Sequence, residues 1–229
     1  MTPTRPLKPL KRVTLPLSLL LALAGLAAMA ARSGPARAGD ALLEDPRGTL
    51  DEAALGAHYR DSYTREATGD LPAALAAIEA VVAVDPTDYV AQLRRGWLAW
   101  RSGRHGDARL AYTEARRLRP SAVEPLLGAM LPAMAERRWR EAEQLATEAL
   151  ARSPCDVTAL TRLAGIHAAQ GRWTRAEAHY RMVLRLFPSD VEITLGLAHA
   201  LDRQGRAEEA ERLRAIIRRV SPDDPRARR

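Results

Sequence analysis

Five prolines recur at intervals of 34 residues without a shift of register: Pro86, Pro120, Pro154, Pro188 and Pro222. An alanine keeps the same interval twelve residues before each proline, at Ala74, Ala108, Ala142, Ala176 and Ala210. A fixed period of about 34 residues that contains two helical stretches is typical of a two-helix solenoid, in which each unit buries its apolar face only against its neighbours. An ordinary helical bundle with scattered prolines predicts no such unbroken period.

The residues between these markers resemble a known repeat. The fourth period reads Leu160-x2-Leu163-Ala164-x2-His167, then Gly171, Trp173, Ala176-x3-Tyr180 and Pro188, and the second supplies Gly96, Gly103, Ala108-x3-Tyr112 and Pro120. This arrangement resembles the tetratricopeptide repeat (TPR) family, whose pattern is W-x2-L-G-x2-Y, then A-x3-F, then P. Arg95 and Arg214 depart from the pattern, so no single unit is perfect.

The resemblance covers roughly residues 50 to 222 and implies an all-α fold. The expected architecture is a right-handed α-solenoid of five tandem two-helix TPR units over residues 49–222. The units start at Leu55, Tyr89, Val123, Val157 and Val191.

Local chemistry predicts where several helices begin and end. Thr49-x-x-Glu52 forms a capping box, so a helix is expected to start there. Pro72 suits the first turn of the next helix, and the bond between Asp85 and Pro86 ends that helix. Gly103, Gly171 and Gly205 are predicted to adopt the left-handed conformation that closes a first helix.

Residues 1–38 predict export. Four basic residues precede the apolar run Val13 to Ala31, and two A-x-A cleavage sites follow it. This is the outline of a secretory signal peptide. The run is nearly the ~20 residues needed to cross a bilayer, so the alternative is an uncleaved signal anchor with membrane attachment through residues 13–31. Both interpretations place the repeats outside the cytoplasm, in the periplasm or secreted, with residues 39–48 as a linker.

The net charge of +7 does not indicate a nucleic-acid partner. Six of the 35 basic residues lie in residues 1–38, which contain no acidic residue, and this leaves 29 basic against 28 acidic residues in the remainder. The basic surface expected of a nucleic-acid-binding protein is therefore missing from the repeats.

No catalytic, metal-binding or cofactor-binding motif is evident. The five histidines show no H-x3-H pair, and the sequence contains no glycine-rich phosphate loop and no G-x-S-x-G elbow. Cys155 is the single cysteine and is expected to be a small packing residue, and His167 is expected to pack at an aromatic position of the repeat. We therefore predict a protein that is not an enzyme and needs no metal or cofactor.

The TPR resemblance places a peptide-binding groove on the first helices, at the fifth, ninth, twelfth and thirteenth positions of each unit. In the first three units the candidate groove residues are Tyr59, Tyr63, Leu93, Trp97, Trp100, Leu127, Leu131 and Met134. In the last two units the same positions are smaller or more polar. The N-terminal half of the groove is therefore expected to be apolar and aromatic.

Trp97 and Trp100 are the strongest candidate anchors, because tryptophan combines a large apolar surface with a polar ring N–H. The alternative is that they fill the space between neighbouring first helices. Trp139 and Trp173, which follow the turn into their second helices, are expected to be core residues. Tyr59 and Tyr63 stand where a carboxylate-gripping TPR domain carries lysine and asparagine, so no such clamp is implied.

Two units differ from the others. Pro132 lies inside the first helix of the third unit, where it removes a hydrogen bond to Gly128 and predicts a kink. The second helix of the fifth unit is rich in Glu and Arg, as expected of a solvent-facing cap, and residues 223–229 are expected to be disordered.

These features predict a non-catalytic scaffold or adaptor of the bacterial cell envelope that binds a peptide segment or a partner subunit in its groove. The alternative is a structural subunit of an envelope assembly such as secretion, pilus or exopolysaccharide export machinery, or a homodimer, with the groove permanently covered. The sequence leaves the oligomeric state open between these two.

Overall fold

The computed structural model describes residues 52–222 and Asp224. The predicted leader (1–38), the linker (39–48) and the capping threonine Thr49 lie outside the described residues, as does the predicted tail apart from Asp224.

Ten α-helices make up the described part of the chain, two in each unit. They are α1 Glu52–Thr68, α2 Leu71–Val84, α3 Tyr89–Arg101, α4 His105–Leu118, α5 Glu124–Ala135, α6 Trp139–Arg152, α7 Val157–Ala169, α8 Trp173–Leu186, α9 Val191–Asp202 and α10 Ala207–Val220. Odd numbers are the first helices of the units and even numbers the second helices. The prediction of an all-α solenoid of five two-helix units is confirmed. Within the described residues, none of the helices has the length and apolarity needed to cross a bilayer.

Aspartates start several of these helices. The Asp70 carboxylate accepts a hydrogen bond from the Ala73 amide at 3.2 Å, and Pro72 occupies the first turn of α2, as predicted. Asp88, Asp156 and Asp190 cap α3, α7 and α9 in the same way. Asp85 caps the C-terminus of α2, which confirms the predicted end of that helix.

The turn between the two helices of each unit requires a residue with positive φ. Gly103 and Gly171 have φ values of 74° and 72°, and the φ values of Gly69 and Gly205 are also positive. The predicted left-handed conformation of Gly103, Gly171 and Gly205 is therefore confirmed. The third unit has Arg137 at this place, with a φ of 55°. The turn is therefore set by the repeat and is retained where glycine is absent.

The alanine of the period lies in the interior of the solenoid in every unit. Ala74, Ala108, Ala142, Ala176 and Ala210 are all completely buried. A methyl group at this place lets the second helix lie close against its neighbours, and a larger side chain would force the helices apart.

Tyr112 fills a space that two glycines leave open. Its buried ring on α4 lies against Gly96 of α3 and Gly128 of α5, so it joins its own unit to the next one. A Cβ atom at Gly128 would come within 2.1 Å of this ring. The packing of a tyrosine against a glycine of the following unit recurs two units later, where Tyr180 of α8 lies against Gly196 of α9. Each tyrosine can reach the following unit only because glycine stands opposite.

First helices of successive units contact each other directly, as the pairs α3–α5, α5–α7 and α7–α9 show. First helices therefore share one face of the solenoid, and this face carries the candidate groove. The helix α5 continues through Pro132 in the middle of that face.

Two residues differ from their sequence-based assignments. Cys155 was expected to be a packing residue, but it is exposed, because it lies in the turn between α6 and α7. The last helix, α10, was expected to present a polar face, but Ile216 and Val220 on it are 51% and 61% exposed. Its solvent face is therefore apolar as well as charged.

A stacked histidine pair lies inside the fourth unit. His167 of α7 is 5% exposed, which confirms its predicted packing role, and its ring lies 5.3 Å from that of His179 on α8. The Nδ1 atoms of both rings are buried and without a hydrogen-bond partner. Burial lowers the pKa of both rings, and with the positive charge of Arg172 it brings the pKa of His167 to about 4.

This pair predicts loss of stability in mild acid. The folded pKa of His167 lies below the unfolded value of about 6.5, so the unfolded chain takes up protons first as the pH falls. We expect the contribution of His167 to the free energy of unfolding to change little above pH 6.5. Between pH 6.5 and pH 4 this contribution should fall by about 2 kcal/mol. Urea denaturation across this range measures the slope. A His167→Phe variant is the control, and the prediction is contradicted if its slope equals that of the unaltered chain.

Candidate functional site

Candidate groove residues of the first two units lie on α1 and α3. Tyr63 is 41% exposed, whereas Tyr59, Leu93, Trp97 and Trp100 are half-buried and pack against the core of these units. All five side chains therefore keep some surface toward solvent, and most of them also support the contact between the two units.

Glu66 organises this part of the groove. Its Oε1 atom accepts hydrogen bonds from the Trp97 ring N–H at 2.7 Å and from Arg101 at 2.6 Å, and its Oε2 atom lies 3.0 Å from an Nη atom of Arg94. Burial disfavours the charged carboxylate, but the three donors outweigh burial, and the pKa of Glu66 is held below its usual range. One carboxylate of α1 thus fixes three side chains of α3.

Arg94 is a buried cation in this cluster, with 7% of its surface exposed. Its Nε–H donates to the Ser62 hydroxyl at 2.8 Å, and its guanidinium lies 3.4 Å from the centre of the Tyr63 ring. A charge can be buried only when it is paired and hydrogen-bonded, and Glu66 supplies that pairing. Arg94 in turn holds Tyr63 in place by a cation–π contact.

Tyr59 belongs to the same junction between units. Its hydroxyl donates to the Asp88 carboxylate at 2.7 Å, and burial together with this hydrogen bond raises the pKa of the tyrosine. Because Asp88 also caps α3, Tyr59 ties α1 to the start of the next first helix. Its ring is mainly a structural element of the groove wall.

The two tryptophans differ in whether their ring N–H is hydrogen-bonded. The Trp97 ring N–H donates to Glu66, and Arg101 lies over the same ring. Within the described residues, the structure shows no hydrogen bond from the Trp100 ring N–H. Their ring centres are 5.1 Å apart and the planes are tilted by 42°. Inter-repeat packing therefore accounts for Trp97, and Trp100 is the aromatic residue better placed to serve as an anchor.

In the third unit, the candidate residues Leu127, Leu131 and Met134 are half-buried on α5. Leu127 and Met134 pack against the core shared by the third and fourth units, and the Leu127 carbonyl accepts a hydrogen bond from Arg162 of α7. This part of the groove is an apolar extension of the aromatic part.

In the fourth unit, Trp173 at the start of α8 differs from its expected intra-repeat core position. The ring is half-buried and meets His199 of the next unit edge-on, with 5.4 Å between ring centres. Arg203 lies 4.7 Å from the centre of the Trp173 ring. Trp139, by contrast, packs against the core of the third and fourth units, as expected.

Sequence reasoning selected the aromatic side chains of the groove and missed Glu66, Arg94 and Arg101. The sequence contains a pattern from which Glu66 and Arg101 could have been identified. Glu66 is the only acidic residue among the groove positions of the first three units, and Arg101 follows it by 35 residues, about one period. Opposite charges one period apart on first helices are expected to lie on adjacent units.

The described residues include no cluster of three or more His, Cys, Asp or Glu side chains that could hold a metal ion. The groove instead offers aromatic rings, aliphatic side chains and one arginine-rich ion cluster. Such a surface has the chemistry for apolar contacts and hydrogen bonds with another molecule.

Solved structures share this fold at low sequence identity. A MamA protein from Desulfovibrio magneticus matches at 13% identity with a TM-score of 0.66, over 75% of this chain and 97% of that one. A thermophilic TPR protein from Thermus thermophilus matches at 20% identity with a TM-score of 0.62, over 76% and 95% of the two chains. YrrB, a TPR protein described as having an unusual peptide-binding site, matches at 14% identity with a TM-score of 0.59, over 77% and 91%.

No curated protein matches the sequence of this chain. Two family models described as tetratricopeptide repeat match it, one over residues 59–123 and 133–191 and the other over residues 167–229. The matched segments cover more than half of the chain and include residues of all ten helices. The chain belongs to the tetratricopeptide repeat family.

Proposed function

We propose that this protein is a non-catalytic adaptor of the bacterial cell envelope that binds a peptide segment or a partner subunit in the groove formed by α1, α3 and α5. TPR proteins are protein-interaction scaffolds, and this is the coarse function that the family membership supports. The location outside the cytoplasm rests on the basic and apolar character of residues 1–38.

The observation that carries the peptide-binding proposal is the fixed arrangement of aromatic rings beside Glu66. Arg94 holds Tyr63, and Glu66 holds Trp97, yet Tyr63 keeps 41% of its surface exposed. Rings that are already ordered lose little conformational entropy on binding, and this favours affinity. Leu127 and Leu131 extend the apolar surface for an elongated segment. The structural likeness to YrrB is consistent with such a groove.

A peptide selection tests this proposal. Peptides are selected from a phage-displayed random library on the chain expressed from the full sequence, and their affinity is measured by fluorescence anisotropy. We expect Trp100→Ala to weaken binding about 10-fold or more, since truncation of a central aromatic anchor typically costs 1–2 kcal/mol or more. The matched control is Phe187→Ala, because Phe187 is 51% exposed in the turn after α8, outside the candidate groove.

Equal affinity of the selected peptides for both variants would show that the groove is not the binding site. Circular dichroism establishes that both variants keep their helices. Fractionation of cells that express the full chain tests the proposed location, and recovery of the repeats in the cytoplasm would contradict it.

A further inference from the structure

Arg162 brings a positive charge to the junction between α5 and α7. It lies on α7, one unit beyond the apolar part of the groove on α5. Its half-buried side chain reaches back to α5, where an Nη atom donates a hydrogen bond to the Leu127 carbonyl. This carbonyl is its only hydrogen-bond partner among the described residues, and no carboxylate of those residues forms an ion pair with it. The charge is therefore left without a counter-ion in the described part of the chain.

Two units earlier, the same position of the repeat holds Arg94, and there the charge is paired. The two arginines are 68 residues apart, which is two periods of 34 residues. Both reach back to the first helix of the preceding unit. On that helix, Glu66 lies 3.0 Å from an Nη atom of Arg94, and the Ser62 hydroxyl accepts a hydrogen bond from its Nε–H at 2.8 Å. An arginine at this position thus finds its counter-ion on the preceding first helix.

The partners of Arg94 have no polar counterparts on α5. Three side chains of α1 contact its guanidinium, and each is replaced by an apolar residue two periods later: Met130 for Ser62, Leu131 for Tyr63 and Met134 for Glu66. The fourth unit therefore repeats the arginine, while the third unit does not repeat the carboxylate. A carboxylate for Arg162 has to come from another molecule.

Partial burial makes such a carboxylate favourable. Burial lowers the pKa of Arg162, whereas the charges of Tyr112 and Asp156 act in the opposite direction. The Asp156 carboxylate caps α7, where it accepts a hydrogen bond from the Ala159 amide at 2.8 Å, and it forms no ion pair with Arg162. An arginine remains charged under all ordinary conditions, so the cost of removing this cation from water is offset only by an anion that pairs with it.

The remaining donors of Arg162 can be reached from solvent. Its Nε and second Nη atoms make no hydrogen bond within the described residues, and neither of them is a buried atom. A planar guanidinium offers parallel N–H donors that match the two oxygens of a carboxylate. Gly165, three residues later on the same face of α7, has no atom within 4 Å of a Cβ built on it. The surface beside Arg162 is therefore open to a ligand.

We propose that Arg162 binds the side-chain carboxylate of an aspartate or glutamate in the bound segment, while apolar residues of that segment lie on Leu127 and Leu131. This inference rests on the proposed peptide-binding function and adds the chemical class of its ligand. The acidic residue is internal to the segment, because α9 contacts α7 and continues the first-helix face beyond Arg162. The ligand thus supplies for Arg162 the carboxylate that Glu66 supplies for Arg94.

A carboxylate introduced on α5 tests the missing counter-ion without a peptide. Met134→Glu places glutamate where the first unit has Glu66, and Met134→Gln is the neutral control of similar shape. We expect a higher urea midpoint for Met134→Glu than for Met134→Gln. The difference should disappear when Arg162→Met is added to both variants. Equal midpoints for Met134→Glu and Met134→Gln would overturn the inference.

Peptides selected from the same phage-displayed library test the ligand class. A selected peptide that contains glutamate and its glutamine counterpart are synthesised with amidated C-termini, so that only side-chain carboxylates are present. By fluorescence anisotropy, the glutamate peptide should bind the unaltered chain about 10-fold more tightly than the glutamine peptide. Arg162→Met and Met134→Glu should each bind both peptides equally. Arg185→Met is the matched control that keeps the preference, because Arg185 is an exposed arginine on the second helix α8.

The possible results distinguish this inference from the proposed function. Selected peptides that depend on Trp100 but contain no acidic residue would overturn the inference alone, as would a glutamate preference that survives Arg162→Met. A library that yields no binding peptide would overturn both. Binding that depends on Arg162 and not on Trp100 supports the inference and contradicts the role of Trp100 as an anchor.

Discussion

Replacement of Glu66 with alanine is expected to lower the free energy of unfolding by about 3–5 kcal/mol, the loss typical when one partner of a buried ion pair is removed. Arg94 would remain buried, at 7% exposure, without its carboxylate, and Trp97 would lose its hydrogen-bond acceptor. Since domains are stable by only about 5–15 kcal/mol, this single change would bring the N-terminal units close to unfolding. Urea denaturation followed by circular dichroism measures the loss.

Two further variants isolate the cause. Glu114→Ala removes a carboxylate whose partner Arg117 is largely exposed, so it should change stability by less than about 1 kcal/mol. Arg94→Met removes the buried charge, and the double variant Glu66→Ala/Arg94→Met should cost clearly less than the sum of the two single changes. Additive effects would show that the buried charge is not the source of the loss.

The second large effect is expected at Gly128, where alanine should destabilise the protein by about 2–3 kcal/mol. The added Cβ atom would lie 2.1 Å from the Tyr112 ring, which is held between two helices and is 4% exposed. Helix propensity alone predicts the reverse, a gain of up to about 1 kcal/mol for alanine over glycine. The sign of the change therefore reports whether the tyrosine ring can move.

Gly165 supplies the matched control, because it is also a glycine of a first helix and no atom lies within 4 Å of a Cβ built on it. Gly165→Ala should raise the urea midpoint while Gly128→Ala lowers it. In the variant Tyr112→Leu, the Gly128→Ala change should become much less harmful, since the rigid ring is gone. A similar gain from both alanines would contradict the packing that the structure shows.

The repeat made most of the fold predictable. The prolines, alanines and glycines report local backbone geometry and helix contacts, and these depend on residues one unit apart at most. Helix ends at Asp85 and the left-handed turns were therefore predictable from sequence. The exposure of Cys155 was not predicted, because its position in a turn between units decides whether the side chain meets a neighbour.

The candidate groove was predictable in its positions and not in its internal bonding. Family spacing selects the side chains that lie on the first-helix face, and it selected Trp97 and Trp100 alike. Only the packing of α1 against α3 shows that Trp97 is bound to Glu66. Hydrogen bonds between units depend on rotamers and distances that a period does not contain.

The sequence alone determined the number of units, the two helices in each and the buried alanines, because a strict period strongly limits how the apolar residues can be buried. The resemblance to the TPR family added the face that carries the candidate groove. Tertiary structure decided how the units are joined: the Glu66 cluster and the Tyr112 ring between two glycines. These features depend on which side chains meet across a unit boundary and on how completely they fill the space between helices, and both are properties of three-dimensional packing.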